Sequence, residues 1–89
     1  MKEFKLFYLE NCPYCVKARQ YMAELRKENQ EYQSIELEMI EEREQAELAN
    51  TFDYYYVPTF YLGDEKLHEG AMTKEDVQSV FDKVLQRHR

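Results

Sequence analysis

The order of apolar and polar positions along this chain predicts seven elements. Phe4-Lys-Leu-Phe-Tyr-Leu9 is short, aromatic-rich and apolar on both faces, the pattern of a strand buried in the middle of a sheet. From Pro13 to about Glu28, residues Cys15, Ala18, Met22 and Leu25 recur at helical spacing on one face. Lys17, Arg19, Gln20 and Glu24 fall elsewhere, and the helix ends in the polar stretch Lys27-Glu-Asn-Gln30. Tyr32-Gln-Ser-Ile-Glu-Leu37 alternates, which predicts a half-buried strand. A strand, a helix and a strand of these lengths form a βαβ unit, parallel and right-handed in nearly all cases. Glu41-Glu-Arg-Glu-Gln45 then predicts the acidic opening of a second helix, with Leu48, Ala49 and Phe52 as its apolar stripe.

Pro58 cannot donate to a sheet ladder and therefore belongs at the start of the next strand, Thr59 to Leu62. Gly63-Asp64 suits a type II′ turn, and Lys66-Leu-His-Glu69 returns as an antiparallel edge strand until Gly70 breaks the run. Tyr54, Tyr55 and Tyr56 have two readings, a seam between helix and sheet or the wall of an aromatic groove beside a substrate. Thr73-Lys-Glu-Asp76 is a variant capping box, and Val77, Val80, Phe81, Val84 and Leu85 follow it at helical spacing. Lys83, Arg87, His88 and Arg89 complement the dipole at that helix's C-terminal end. The order is β-α-β-α-β-β-α.

At 89 residues this is a single domain, 1–89, and a 44% hydrophobic content supports a packed core. The formal net charge of −6 argues against nucleic acid as a partner. No apolar run approaches the roughly 18 residues of a membrane span, and the charged start Met1-Lys-Glu-Phe-Lys5 is unlike a signal peptide. The acidic run at 41–45 reads as a solvated face. Two cysteines without an export signal point to a cytoplasmic protein, where a disulfide is transient and catalytic.

Those cysteines, Cys12 and Cys15, flank Pro13-Tyr14 where the first strand gives way to the first helix. A thiol at a helix N-terminus faces unpaired N–H groups and the positive dipole end, which can lower its pKa to roughly 3.5–7.5. Pro13 fits the first helical position, and Cys15 returns to the same face one turn later. Cys12 is thus placed to attack a disulfide, and Cys15, carried inward, to resolve the mixed disulfide. Two other readings stay open. Cys-x-x-Cys is also half of a zinc site, although no second pair exists and His68 and His88 lie at no finger-like spacing; both histidines read as surface residues. Two buried structural cysteines are the other.

Cys12-Pro-Tyr-Cys15 after a first strand, Val57-Pro58 before a hairpin, and a final helix together resemble a dithiol glutaredoxin over nearly the whole chain. The resemblance implies a thioredoxin fold, a four-stranded mixed sheet flanked by three helices, with a cis peptide between Val57 and Pro58. It implies Cys12 and Cys15 as catalytic residues and Tyr14, Val57, Pro58 and Gly70 as substrate-binding positions, the Val57 backbone pairing with substrate like an added strand. It further implies no bound cofactor or metal, a protein disulfide or glutathione mixed disulfide as substrate, and glutathione as a candidate reducing cosubstrate. Three departures bear on glutathione. Leu9, followed by acidic Glu10, stands where the family carries a basic residue, Tyr56-Val57 replaces Thr-Val, and Gly70-Ala-Met-Thr73 replaces a Gly-Gly pattern in a manner closer to thioredoxins. An acidic protein without that basic contact steers an anionic tripeptide poorly, and Glu10 is expected to oppose thiolate formation at Cys12. The alternatives are a thioredoxin-like reductant recycled by a flavin reductase, for instance serving ribonucleotide reductase, an iron–sulfur carrier, and a non-enzymatic adaptor.

Overall fold

The computed structural model describes residues 3–87. The first strand, β1 (Phe4–Tyr8), leads into α1 (Pro13–Glu28), followed by a 3-10 segment at Gln30–Ser34 and strand β2 (Glu38–Glu41). A short α2 (Ala46–Ala49) precedes the hairpin of β3 (Thr59–Leu62) and β4 (Glu65–Glu69), and α3 (Lys74–Arg87) closes the chain. The sheet order is β2-β1-β3-β4, with β1 parallel to β2 and antiparallel to β3. This is the four-stranded mixed sheet of the thioredoxin fold that the resemblance to glutaredoxins implies.

β1 is central because both of its faces are apolar. Phe4 and Leu6 point into a cluster with Met22 and Leu25 of α1 and Val77, Val80 and Phe81 of α3. Phe7 points the other way, into a smaller cluster with Ile40, Ala49 and Tyr61. Each layer is ordered by ring contacts: Phe4 stacks on Phe60 at 5.3 Å, and Phe7 lies 4.8 Å from Phe52 and 5.0 Å from Tyr54. The α3 cap is a reciprocal capping box, Thr73 N–H donating to Asp76 Oδ2 at 2.9 Å and Asp76 N–H to Thr73 Oγ1 at 3.1 Å. Gly63 has φ +60° while Asp64 does not have a positive φ, the combination a II′ turn requires. β4 is an edge strand, as its charge predicts. His88 and Arg89, expected to charge the end of α3, lie outside the described residues.

Two expectations fail. The strand expected at Tyr32–Leu37 begins only at Glu38, because local hydrogen bonds override the alternation. Asn29 Oδ1 caps the 3-10 segment at Glu31 N–H, and the Arg26 guanidinium donates to the carbonyls of Tyr32 and Ile35. Tyr32 is buried against Phe81, and its hydroxyl donates to Asp82 Oδ1 at 2.7 Å. Ile35 still fills the core, but from a coil. The second helix does not open at Glu41 either. Glu41 ends β2 with its side chain buried, and Glu42 to Gln45 form a turn before a single helical turn. The stripe Leu48, Ala49 and Phe52 nonetheless packs on the smaller cluster.

Candidate active site

Leu9 to Asn11 carry the chain from the C-terminal end of β1 to the N-terminus of α1, and this loop is fastened from both sides. Glu41 Oε2 accepts the Glu10 N–H at 3.1 Å, while its other oxygen accepts the Arg43 N–H at 2.6 Å. Arg19 Nη2 donates to the Glu10 carbonyl at 3.2 Å, and its guanidinium lies over the Tyr8 ring at 5.2 Å. Held this way, Cys12 takes the extended N-cap conformation, with Pro13 at the first helical position and the first helical hydrogen bond running from Val16 N–H to the Cys12 carbonyl.

The two thiols sit in unlike environments. Cys12 is partly exposed, whereas Cys15 is fully buried on the inner face of α1. Burial is the largest single influence on the Cys12 thiol and pushes its pKa up. The Cys15 N–H, the Cys15 thiol and the Tyr14 N–H together outweigh it, so Cys12 ionises below the ordinary cysteine value. These contacts are looser than a full capping hydrogen bond, which the side chain does not make. The carboxylate of Glu10, expected to resist ionisation, is exposed and is not among the groups that move Cys12. Burial above all pushes the Cys15 thiol up to about 12, reinforced by its hydrogen bond to Cys12 and the charge there. The Leu9 N–H, 3.4 Å from Cys15 Sγ, and the Arg19 guanidinium oppose that rise.

Iodoacetamide at pH 7 is therefore expected to modify Cys12 alone. A thiol at about 12 has a thiolate fraction at least about 1000-fold below that of a free cysteine near 8.5, before burial is counted. The thiolate is the reactive form, so the Cys12 rate should rise with pH and level off at a lower pH than for free cysteine. Mass spectrometry of a time course checks both statements, and equal labelling of the two cysteines would overturn them.

The strand register brings the second half of the site to the same end of the sheet. Phe7 pairs with Thr59 and Thr59 with Glu69, so Val57-Pro58 and Gly70 continue beside the loop that carries Cys12. The Val57-Pro58 peptide is cis. Pro58 is buried, and its carbonyl accepts the Gly70 N–H at 2.8 Å. Tyr14 is 60% exposed and lines a groove of about 330 Å³ with Pro13, Lys17, Tyr21, Ala71 and Met72. The loop that carries Cys12, the cis-proline and Gly70 thus lie at one end of the sheet. A depression of about 350 Å³ between Phe4, Ile35 and Val84 lies at the opposite end of the sheet, away from the sulfurs.

The three tyrosines divide between their two readings. Tyr54 is the seam: it stacks on Phe7 and donates its hydroxyl to Glu42 at 2.8 Å. Tyr55 and Tyr56 stand 85% and 70% exposed at the edge of the site. His68 is half-buried on β4, with Nε2 3.2 Å from the Ala71 carbonyl. Sequence reasoning missed Glu41, Arg19 and Glu69, whose roles are to accept or donate hydrogen bonds to loop backbone. No motif marks such residues, since the chain they hold is distant in sequence. Among the described residues no three His, Cys, Asp or Glu side chains converge as a metal site requires, and no helix is long and apolar enough to cross a membrane.

A family model for glutaredoxins matches residues 4–67, a span that includes both cysteines and the cis-proline. The chain belongs to the glutaredoxin family. Thiol–disulfide oxidoreductase chemistry is general to that family. No curated protein matches the chain. Among solved structures, a malarial protein is similar at 21% identity and a TM-score of 0.68, covering 92% of this glutaredoxin and 94% of that chain. The first two thioredoxin domains of Saccharomyces cerevisiae Eps1p are similar at 21% identity and a TM-score of 0.59, covering 90% of this chain and 34% of that one. At these identities the likeness concerns the fold of this glutaredoxin alone.

Proposed function

We propose that this protein reduces disulfides through Cys12 as nucleophile and Cys15 as resolving thiol, with a protein disulfide or a glutathione mixed disulfide as substrate. The observation that carries the reading is the asymmetry of the pair: one accessible thiol that ionises early, and one buried thiol held at about 12 within reach of it. The Cys12 thiolate attacks one substrate sulfur, the substrate disulfide breaks, and the departing thiolate takes up a proton. In the mixed disulfide Cys12 carries no charge. Two of the influences that keep Cys15 protonated, its hydrogen bond to Cys12 and the repulsion from that thiolate, are then gone. Cys15 loses its proton with the Leu9 N–H and the Arg19 guanidinium stabilising the anion, attacks Cys12 Sγ, and releases the second substrate thiol. Two electrons pass to substrate, and the Cys12–Cys15 disulfide awaits reduction by two external thiols or a flavin enzyme. Val57, whose N–H and carbonyl have no partner among the described residues, is the edge on which an extended substrate chain would pair, with Tyr14, Pro58 and Gly70 shaping the groove.

A second reading is a thioredoxin-like reductant recycled by a flavin reductase. Leu9 in place of a basic residue and the exposed Tyr55 and Tyr56 favour a polypeptide over an anionic tripeptide. Two assays separate these readings. One follows a small glutathione mixed disulfide with glutathione and glutathione reductase, the other insulin with a thioredoxin reductase. Fast turnover in the first supports glutathione as the reductant, and activity in the second alone supports the reductase-driven reading. Cys15→Ser is expected to accumulate a covalent mixed disulfide at Cys12. Mass spectrometry that finds no adduct under substrate would overturn the resolving role.

A further inference from the structure

We propose that Glu69 is a positioning residue that holds the Tyr55-Tyr56 backbone so that the Val57 edge is preformed for a polypeptide substrate. The inference rests on the disulfide-reducing function proposed above and narrows its substrate to chains with a backbone to pair. Glu69 Oε2 accepts two successive N–H groups, from Tyr55 at 2.5 Å and from Tyr56 at 2.9 Å. Its Oε1 accepts Lys66 Nζ at 2.7 Å, and the Glu69 side chain is only 20% exposed. Lys66 first, then the two N–H groups, hold the carboxyl down to about 2, so it is a carboxylate at every working pH.

Glu69 does not act alone at the end of β4. The next residue, Gly70, donates its N–H to the Pro58 carbonyl, and Thr59 Oγ1 donates to the Tyr56 carbonyl at 2.5 Å. The backbone on both sides of Val57 is therefore tied to β3 and β4, while the Val57 N–H and carbonyl have no partner among the described residues. Ring packing does not hold this segment, since Tyr55 and Tyr56 point into solvent. Without the carboxylate, the residues between Tyr54 and Pro58 would sample many conformations, and substrate binding would have to order them.

The test uses Glu69→Ala and the conservative Glu69→Gln, whose side-chain oxygen can still accept from the Tyr55 and Tyr56 N–H groups. For reduction of insulin, Glu69→Ala is expected to raise KM about tenfold while changing kcat by less than about twofold, because ordering is charged to binding. Hydroxyethyl disulfide, which has no peptide backbone, should be reduced within about twofold of wild type. Glu69→Gln should recover most of the loss. Amide hydrogen exchange at Tyr55 and Tyr56 is expected to quicken at least about tenfold in Glu69→Ala, with Tyr61 of β3 unchanged. Unchanged exchange at Tyr55 and Tyr56 would overturn the proposal, as would an equal loss on insulin and hydroxyethyl disulfide. A wild-type protein inactive on both substrates would instead sink the disulfide-reducing function, and the exchange measurement would still decide whether Glu69 holds the loop.

Discussion

Cys12→Ser is expected to lose disulfide reductase activity by more than about 1000-fold, since a hydroxyl near neutral pH supplies almost no anion to attack sulfur. The loss should be the same with glutathione or with a flavin reductase as the recycling system, because both arrive after the first attack. Insulin reduction and hydroxyethyl disulfide turnover measure it, and retained activity in either would remove Cys12 from the nucleophile's role. The fold should survive, as Cys12 is partly exposed and lies outside both core clusters. A pH-dependent signature accompanies the change. The folded-state pKa of Cys12 is depressed, so its thiolate stabilises the reduced protein fully above the unfolded-state value. That contribution is lost as pH falls through the folded value. Comparing the unfolding of reduced wild type and Cys12→Ser, the wild-type advantage should therefore grow as pH rises.

Phe7→Ala is expected to cost about 3–5 kcal/mol, the usual range for emptying a fully buried phenylalanine site. A chain of this length typically has about 4–13 kcal/mol in all, so most of the stability is at risk. Phe7 has no exposed surface and meets Phe52, Tyr54 and Tyr61, the last at 5.9 Å edge to face. Those rings form the smaller of the two clusters, which offers few atoms to collapse into the cavity. Tyr54 is also the last anchored residue before the exposed tyrosines and Val57, so loss of Phe7 should loosen the substrate edge as well. Urea denaturation checks the magnitude; a change below about 1 kcal/mol would mean that the cluster repacks.

Much of this protein is legible in its sequence because the decisive signals are local. The helical spacing of Cys15, Ala18, Met22 and Leu25 identified both α1 and the inward course of the second thiol. Pro13 next to Cys12 placed the first thiol at a helix start, and Pro58 placed the beginning of β3. The Thr73-Asp76 capping pair and the apolar stripe from Val77 located α3. Each depends on residues within a turn or two of one another, where backbone geometry alone decides which side chains meet. The failures occurred where side-chain contacts that the apolar pattern does not show, some local and some distant, won. Tyr32 to Leu37 alternates like a strand, but Arg26, Asn29 and Phe81 hold its start in a 3-10 turn that ends at Ser34. Glu41 looks like one more acid in a solvated run, yet its buried carboxylate accepts the N–H of Glu10, 31 residues earlier.

What the sequence by itself determined is the fold class and the pair of thiols, since periodicity and a four-residue motif encode them directly. Only the tertiary structure decided which groups stabilise or oppose each thiolate, which tyrosines face solvent, and which carboxylates hold the loops around them. Those properties depend on burial and on backbone groups brought together across the sheet, and neither is a property of neighbouring residues in the chain.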